Sequence, residues 1–436
     1  MSTTSISPLS NAVEAEMQYE RTISSLILEA RKFELPVFQW DQWTQFGSSS
    51  SDDSIPKFHV SLGLNDLTEV VLQIGKPLIE RGVCFKVTSS LSSAEMLNAG
   101  KWGYQQAGKT ITIYPDEGNA VFQLSSLLRE LCAGIYGAPP VTDIRLTGSG
   151  CVSARLESWP RDLPSENDVR ELIQQYPGLF EGLSPSPPLP SRYVALQCVA
   201  IRGAGVRIKA LDLENSRLQE RSAYVMIKQA RLNAERDYFG IDAVSRLQHQ
   251  IAIHTRLRDC PGFPTVRDVV ELNDGSLLAA FDYIEGSSLW SCRDSFNSPE
   301  TVVDFCNKFM PEVMHIAHEH QVLLGDISPD NIILTTDGHI RFIDLDDALM
   351  DGEPGFPRST PLFSPPDFVK LNICRDYLQF SRLALMLSVG QEGLRSLDTG
   401  TSKWSRLIPL PVASWLEAAL LSIGLTPEDC YGTEWR

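Results

Sequence analysis

The chain has 436 residues and a formal net charge of -17, with 43% hydrophobic and 21% charged residues. This length predicts two or three domains with separate cores, and the composition is typical of a globular protein. The acidic balance argues against nucleic acid as a partner and against a basic membrane-binding surface. The nine cysteines are scattered singly, without zinc spacing. With no signal peptide and no apolar run of membrane-spanning length, we expect a cytoplasmic protein with reduced thiols and no membrane partner.

The N-terminal stretch, residues 1–55, begins with a polar tail. Apolar residues then recur at helical spacing over Val13–Phe33, which predicts a helix. A run rich in Ser and Asp follows over Gly47–Ser54 and predicts a flexible connector. We therefore expect residues 1–55 to form a helix and a connector that precede the first domain.

Residues 56–181 predict a small α+β domain. The alternation in Lys57-Phe-His59-Val-Ser places Lys57 and His59 on the same face of a strand. Each cation taken alone is best explained as a solvated surface group. As a set in an acidic chain, they would bind a phosphate dianion and lower a lysine's pKa until it serves as a base. A nearby histidine would then donate a proton to the leaving group. Further cations accompany the rest of this domain: Lys86, Lys101, Arg145 and Arg155.

A Pro-rich segment, residues 182–191, predicts a linker to a second domain at residues 192–436. Its first two strands flank Gly203 and Gly205, which would let backbone amides approach a phosphate, although a plain hairpin turn has the same pattern. A later strand ends in Lys228, which is suited to the phosphates of a nucleotide.

The stretch Leu323–Asp347 carries the strongest chemical pattern. Asp326 is followed five residues later by Asn331, and a second strand then leads to Asp344. One carboxylate would take a hydroxyl proton while Asn331 and Asp344 hold magnesium, which is most of what phosphoryl transfer requires. The alternative is a hairpin with solvated acidic turn residues.

Short motifs in both halves occur in the order found in one enzyme family. They are Lys57-Phe-His59-Val-Ser, Phe85-Lys86, Lys109-Thr-Ile-Thr-Ile-Tyr-Pro115, Asp143-Ile-Arg145, Val225-Met-Ile-Lys228, Leu247-Gln-His249, Gly325-Asp326-Ile-Ser-Pro-Asp-Asn331, Ile343-Asp344 and Phe363-Ser-Pro-Pro366. On these motifs, residues 56–436 resemble the lyase and kinase domains of class III lanthionine (lanthipeptide) synthetases. The resemblance implies a phosphothreonine/phosphoserine lyase-like α+β domain followed by a bilobal protein-kinase-like domain.

The resemblance also implies an activity. A ribosomally made precursor peptide with a leader segment would be phosphorylated on Ser or Thr, and elimination of phosphate would leave dehydroalanine or dehydrobutyrine. The cofactors would be ATP (or GTP) and Mg²⁺. If thioether rings form, either a separate cyclase closes them or they close without one.

Each candidate site residue has an implied role. In the kinase-like part, Asp326 would deprotonate the peptide hydroxyl. In the lyase-like part, Lys57 would remove the α-proton, Lys86 would support the enolate and His59 would protonate the departing phosphate. The remaining implied ligands are Lys228, Gly203, Gly205 and Gln250 for the nucleotide, Asn331 and Asp344 for metal, and Lys101, Arg145 and Arg155 for the substrate phosphate.

The sequence departs from the family pattern at several positions. Gln250 stands where kinases usually have a Glu that pairs with the strand lysine, and an amide orients an ammonium group without neutralising it. Gly325 precedes Asp326 where protein kinases usually have arginine, so we expect no switching by activation-loop phosphorylation. Two residues beyond the expected metal ligand Asp344, this chain has Asp346 where protein kinases usually have glycine. We also expect no third, cyclase-like domain, although removal of such a domain from a longer protein stays open.

Two other classes of function remain open. The first is a pseudokinase that binds a peptide without catalysis, which Gln250 and the short glycine loop favour. The second is a small-molecule kinase of the aminoglycoside or choline kinase type, which Gly325-Asp326 and Ile343-Asp344-Leu-Asp346 also resemble. A small-molecule kinase of this type does not account for the cations on the strands of residues 56–160.

Overall fold

The chain folds into helices and sheets of the predicted α+β class. The computed structural model describes residues 8–49, 54–116, 118–156, 158–159, 165–181, 189–214, 223–350, 373–398 and 408–422, together with 363, 424 and 426. Two compact units divide the chain. The first is drawn from residues 1–218, 227–246 and 270–278, and the second from residues 219–226, 247–269 and 279–436. Over the described ranges, no helix has both the length and the apolar content needed to cross a membrane.

The first unit is built around one seven-stranded sheet. Its elements are α1 (Pro8–Lys32), β1 (Val37–Gln39), β2 (Trp43–Phe46), β3 (Lys57–Val60), α2 (Leu64–Glu80), β4 (Cys84–Thr88), α3 (Leu91–Asn98), β5 (Ile111–Tyr114), α4 (Gly118–Leu131), β6 (Ile144–Arg145), β7 (Val152–Arg155) and α5 (Glu166–Gln175). The strand order is β1-β2-β4-β5-β3-β7-β6, and the paired strands run antiparallel.

One face of this sheet forms the core because apolar and polar residues alternate along its strands. Phe58 and Val60 of β3 are fully buried, and Phe46 of β2 stacks on Phe85 of β4 with ring centroids 4.7 Å apart. Helix α2 covers this core with its apolar stripe. Since side chains alternate along a strand, the residues between these apolar positions project to the opposite face.

The N-terminal residues belong to this same unit. Tyr19, Ile23 and Leu26 of α1 are buried in its core, and β1 and β2 extend its sheet. The fold of the first unit therefore begins well before residue 56. Residues 50–53 of the expected connector and residues 182–188 of the expected linker lie outside the described residues.

A second sheet has five strands in the order β11-β12-β10-β9-β8, and helix α6 follows β10 in the chain. These elements are β8 (Tyr193–Ile201), β9 (Val206–Asp212), β10 (Tyr224–Ala230), α6 (Ala243–Arg256), β11 (Val266–Glu271) and β12 (Leu277–Asp282). The predicted Gly203 and Gly205 lie in the turn between β8 and β9, and Lys228 lies in β10.

The elements from residue 286 onward belong to the second unit and are mainly helical, with short strand pairs around the predicted catalytic stretch. They are β13 (Gly286–Ser288), α7 (Pro299–Phe309), a π-helical turn (Met310–Met314), α8 (His315–Glu319), β14 (Val322–Leu323), β15 (Ile332–Thr335), β16 (Ile340–Phe342), β17 (Leu349–Met350), α9 (Ile373–Asp398) and α10 (Leu410–Leu421). Their core includes Phe309 of α7 stacked on Phe380 of α9, with ring centroids 4.7 Å apart. Residues 364–366 of the expected Phe363-Ser-Pro-Pro366 motif fall outside the described residues.

Candidate functional site

A row of mostly buried polar residues crosses the second face of the seven-stranded sheet, opposite the apolar core. Lys86 of β4 pairs with Thr112 of β5, Thr112 pairs with His59 of β3, and His59 pairs with Ser153 of β7. Directly paired residues project to the same face of a sheet. Because Lys57 lies two residues before His59 on β3, the structure places Lys57, His59 and Lys86 on one face, which we call the cationic face.

The buried carboxylate of Asp143 holds His59. Its Oδ2 lies 2.6 Å from His59 Nδ1 and accepts a hydrogen bond of 2.9 Å from Ser153 Oγ, while Thr142 Oγ1 donates to its Oδ1 at 2.8 Å. Burial opposes ionisation of Asp143, but His59, Lys109 and Thr142 together hold its pKa below the usual range. Burial lowers the pKa of His59 to about 4 against the attraction of this carboxylate, so the ring is neutral at neutral pH. Asp143 thus fixes the ring and leaves Nε2 as its second nitrogen.

The lysines on this face are desolvated and repel one another. Burial, followed by repulsion from Lys109, Arg155 and Lys86, lowers the pKa of Lys57 to about 8. Burial also lowers the pKa of Lys109 to about 8. Burial lowers the pKa of Lys86 as well, and its ammonium Nζ lies 4.5 Å from the ring centroid of Trp43. The face therefore supplies a lysine that deprotonates far more readily than an exposed one.

The three expected phosphate ligands do not all lie on the cationic face. Arg155 pairs with Lys57 in the β3–β7 register and is buried, and its Nη2 donates to Trp159 O at 3.1 Å. Arg145 pairs with Ser153, which puts it on the cationic face. Lys101 is exposed in the turn after α3 rather than on a strand. Two of the three expected cations thus share the face of Lys57.

Sequence reasoning gave no role to Asp143 or Lys109. Both occur in the motifs quoted above, Asp143 directly before β6 and Lys109 two residues before β5. Their roles depend on packing, because Lys109 Nζ lies 3.9 Å from Asp143 Oδ1 and the two are 34 residues apart in sequence. The one available signal was a charged residue at the edge of an apolar strand.

In the second unit, the structure brings together the expected catalytic Asp and its Asn. Asn331 Nδ2 donates to Asp326 Oδ2 at 3.1 Å and to the Asp326 carbonyl at 3.0 Å. The Ile343 amide donates to the Asn331 carbonyl at 2.9 Å, which ties Asn331 to the strand that leads to Asp344. The loop that carries Asp326 is therefore held in place by its own Asn.

Gln250 of α6 is fully buried, and its Nε2 donates to Asp344 Oδ1 at 3.3 Å. The backbone amide of Asp346 approaches the same oxygen at 3.4 Å. Gln250 therefore orients the carboxylate of Asp344. The sequence had suggested Lys228 as the partner of Gln250 and gave no indication of this contact. The other expected nucleotide ligands, Lys228, Gly203 and Gly205, belong to the first compact unit.

Two residues of α9 support the catalytic loop and were missed in the sequence. Asp376, fully buried, accepts hydrogen bonds from the amides of Leu324 at 2.8 Å and Gly325 at 3.1 Å. Gln379, also fully buried, accepts from the Ile327 amide at 3.0 Å and donates to the Gly325 carbonyl at 2.7 Å. The available signal was two polar residues within the apolar stretch of α9.

Gly325 has a structural requirement for glycine. Its φ is +79°, and a Cβ placed on it would lie 1.8 Å from the Asp347 carbonyl oxygen. No other residue type fits without moving the backbone. The absence of the usual arginine before Asp326 is thus enforced by the close approach of two loops.

The donor set of the second unit fits a hard dication. The side-chain nitrogen Nδ2 of Asn331 donates to Asp326, so the side-chain oxygen Oδ1 of Asn331 can face a cation. Asp344 adds a carboxylate. Magnesium is usually bound by one or two carboxylates plus substrate phosphates.

Comparison with known proteins adds an observation that is independent of the geometry. Residues 40–175 match the family described as RamC, N-terminal domain. The probable SapB synthase of Streptomyces coelicolor is 23% identical over 368 residues, which cover 76% of this chain and 39% of that protein.

Protein kinases also match. Human Rho-associated protein kinase 1 is 21% identical over 179 residues, or 39% of this chain and 13% of the kinase. Mouse serine/threonine-protein kinase MRCK alpha is 29% identical over 103 residues, or 23% of this chain and 6% of the kinase. The chain thus spans about two fifths of the synthase and a smaller share of each kinase, and it is similar in sequence to that synthase and to Ser/Thr kinases.

Proposed function

We propose that this protein is a bifunctional dehydratase that phosphorylates Ser or Thr of a ribosomally made precursor peptide and then eliminates the phosphate. The observation that carries the proposal is the shared face of Lys57, His59 and Lys86 in the same chain as the Asp326–Asn331–Asp344 set. The match of residues 40–175 to the RamC N-terminal domain family, which spans the whole cationic face, and the similarity to Ser/Thr kinases both support the proposal.

The elimination follows from the residues on the cationic face. The phosphate dianion of the peptide would lie against Arg155 and Arg145, and the neutral amine of Lys57 would take the α-proton. The electron pair of the Cα–H bond becomes the new C=C bond as the Cβ–O bond breaks. Lys86 would stabilise the enolate-like charge of the intermediate, since preorganised cations lower the barrier most where charge develops.

The departing phosphate takes a proton from His59. The ring is neutral without substrate, but a phosphate dianion beside Nε2 favours its protonated form. Asp143 would stabilise the resulting imidazolium through Nδ1. Asp143 is thus a positioning residue, which acts through His59.

The phosphorylation step assigns a role to each residue of the second part. Asp326 would orient the peptide hydroxyl and accept its proton, with Asn331 fixing that carboxylate. Asn331 and Asp344 would hold Mg²⁺, which, when bound with the nucleotide, neutralises phosphate charge. Lys228 would bind the nucleotide phosphates.

A direct test is incubation of the full chain with ATP, Mg²⁺ and a Ser/Thr-bearing precursor peptide encoded beside its gene. We expect products lighter by one water molecule per modified residue, measured by mass spectrometry. Accumulation of phosphopeptide alone would contradict the lyase half of the proposal, and unchanged peptide would contradict both halves.

The pH dependence of elimination tests the role of Lys57. Elimination needs the amine of Lys57 neutral and the ring of His59 protonated, and their pKa values are lowered to about 8 and about 4, so kcat/KM should be level up to about pH 8 and fall about tenfold per pH unit above it. The measurement is phosphate release from the synthetic peptide Ac-Ala-Ala-pSer-Ala-Ala-amide between about pH 7 and about pH 10, where the phosphate is dianionic. A value of kcat/KM that stays level up to the ordinary lysine pKa of 10.5 would contradict a desolvated base.

A further inference from the structure

A small cavity opens beside the cationic face, within the first compact unit. Its walls come from the end of β3, the turns before β5 and β6, the β8–β9 turn and the segment after β10. The residues that matter for its chemistry are Ser61, Gly108, Gly137, Gly203, Arg231 and Glu235. None of them has a role in the mechanism above except Gly203, which was expected at the nucleotide.

Ser61 supplies a buried hydroxyl at this cavity. The residue is 2% exposed, and its Oγ has no hydrogen-bond partner among the residues that the structure describes. An unsatisfied buried hydroxyl is costly, so in a cavity wall it is available to hydrogen-bond a water or a ligand atom. The hydroxyl would donate to a carbonyl oxygen or accept from an N–H group.

The cavity adjoins the proposed lyase site along the strand. The Ser61 amide donates to the Cys151 carbonyl at 2.9 Å, which continues the β3–β7 ladder and directs Ser61 to the same face as Lys57 and His59. Residues two apart on a strand are about 7 Å apart, close to the span of two residues of extended peptide. On the opposite wall, Gly108 directly precedes Lys109 of the cationic face.

Two glycines let other segments close around this space. A Cβ on Gly137 would lie 1.9 Å from the Ser61 carbonyl oxygen, and a Cβ on Gly203 would lie 2.4 Å from the Asn98 carbonyl oxygen. The β8–β9 turn is further held by the Ala204 amide, which donates to Glu235 Oε1 at 3.0 Å. The Gly203 turn is therefore built into a wall of this cavity.

The cavity also has a cation. Burial, together with repulsion from Arg145 of the cationic face, lowers the pKa of Arg231 to about 10. Its guanidinium donates to the carbonyls of Pro139 and Gly203, so it fixes the wall segments to each other. With Glu235 of opposite charge nearby, the lining is polar and mixed, which suits peptide amides better than a second phosphate.

We infer that this cavity binds the main chain of the substrate peptide beside the phosphorylated residue, with the Ser61 hydroxyl donating to a peptide carbonyl. The inference rests on the proposed function, because it names the substrate segment that accompanies the phosphate. It makes residues of the β8–β9 turn and of the segment after β10 part of the peptide site of the first unit.

The test compares a long and a minimal phosphorylated substrate. Ac-Ala-Ala-pSer-Ala-Ala-amide reaches both the cationic face and the cavity, whereas N-acetyl-phosphoserine N-methylamide reaches the face alone. In Ser61→Ala, we expect kcat/KM for phosphate release from the pentapeptide to fall about 5- to 10-fold, mainly through KM, and no change for the minimal substrate. Ser125→Ala removes a buried serine hydroxyl on α4 and should change neither value.

Two further measurements separate the possible failures. The thermal unfolding midpoint of Ser61→Ala should be no lower than that of the wild type, because the hydroxyl has no hydrogen-bond partner to lose among the described residues. Equal losses for both substrates, or no loss for either, would overturn the inference. Binding of fluorescein-labelled pentapeptide is measured by anisotropy in the Lys57→Ala background. Ser61-dependent binding without phosphate release by wild type would keep the cavity assignment and overturn the lyase.

Discussion

Lys57→Ala is expected to convert the protein from a dehydratase into a kinase that accumulates phosphopeptide. The amine is the only group of the proposed elimination that removes the α-proton, and loss of a general base typically lowers a rate by about 10²- to 10⁴-fold. The phosphorylation step uses none of the residues on the cationic face, so it should continue. Mass spectrometry after incubation with ATP, Mg²⁺ and precursor peptide should show added phosphate in place of lost water.

An exposed lysine provides the control for this result. Lys76 lies on the solvent side of α2, and Lys76→Ala should give the same dehydrated product as the wild type. A small-molecule kinase would show no dependence on Lys57 at all. Unchanged dehydration in Lys57→Ala would assign the base to another residue, with Lys109 the next candidate because its pKa is lowered equally.

Asp326→Asn should abolish phosphorylation while leaving elimination intact. The substitution keeps the shape of the side chain and its contact with Asn331 but removes the carboxylate that accepts the hydroxyl proton. We expect a loss of about 10²- to 10⁴-fold in transfer of phosphate from ATP to the precursor. A synthetic phosphopeptide supplied in place of the precursor should still lose its phosphate at the wild-type rate.

The two reactions of one chain thus serve as controls for each other. Asp304→Asn, on the exposed side of α7, should affect neither reaction. Nucleotide binding without turnover in the wild type, unchanged in Asp326→Asn, would identify a pseudokinase. Loss of both reactions in Asp326→Asn would indicate a folding defect, which the unfolding midpoint would reveal.

The sequence predicted much of the local structure because periodicity and turn residues are local signals. The alternation at Lys57-Phe-His59 specified which side chains face the core, and β3 has that orientation. The two strands predicted to flank Gly203 and Gly205 are present as β8 and β9. The short β1 and β2 gave no such signal, because three or four residues are too few to show a period.

The supporting contacts were out of reach of sequence reasoning for a different reason. Asp376 contacts the catalytic loop across about fifty residues of chain, and Asp143 contacts His59 across more than eighty. A lone buried carboxylate has the same appearance in a sequence as a solvated one, so only packing identifies it. The contact of Gln250 with Asp344 was hidden in the same way.

The alternation on β3 also limits how this protein can change over time. A one-residue insertion or deletion within Lys57–Val60 would turn the side chains of Lys57 and His59 into the hydrophobic core and move Phe58 out of it. Such a mutation would destabilise the sheet and also remove the proposed activity. Insertions and deletions in this stretch are therefore not tolerated. A mutation that removes the activity but keeps the fold must be a substitution of a single side chain.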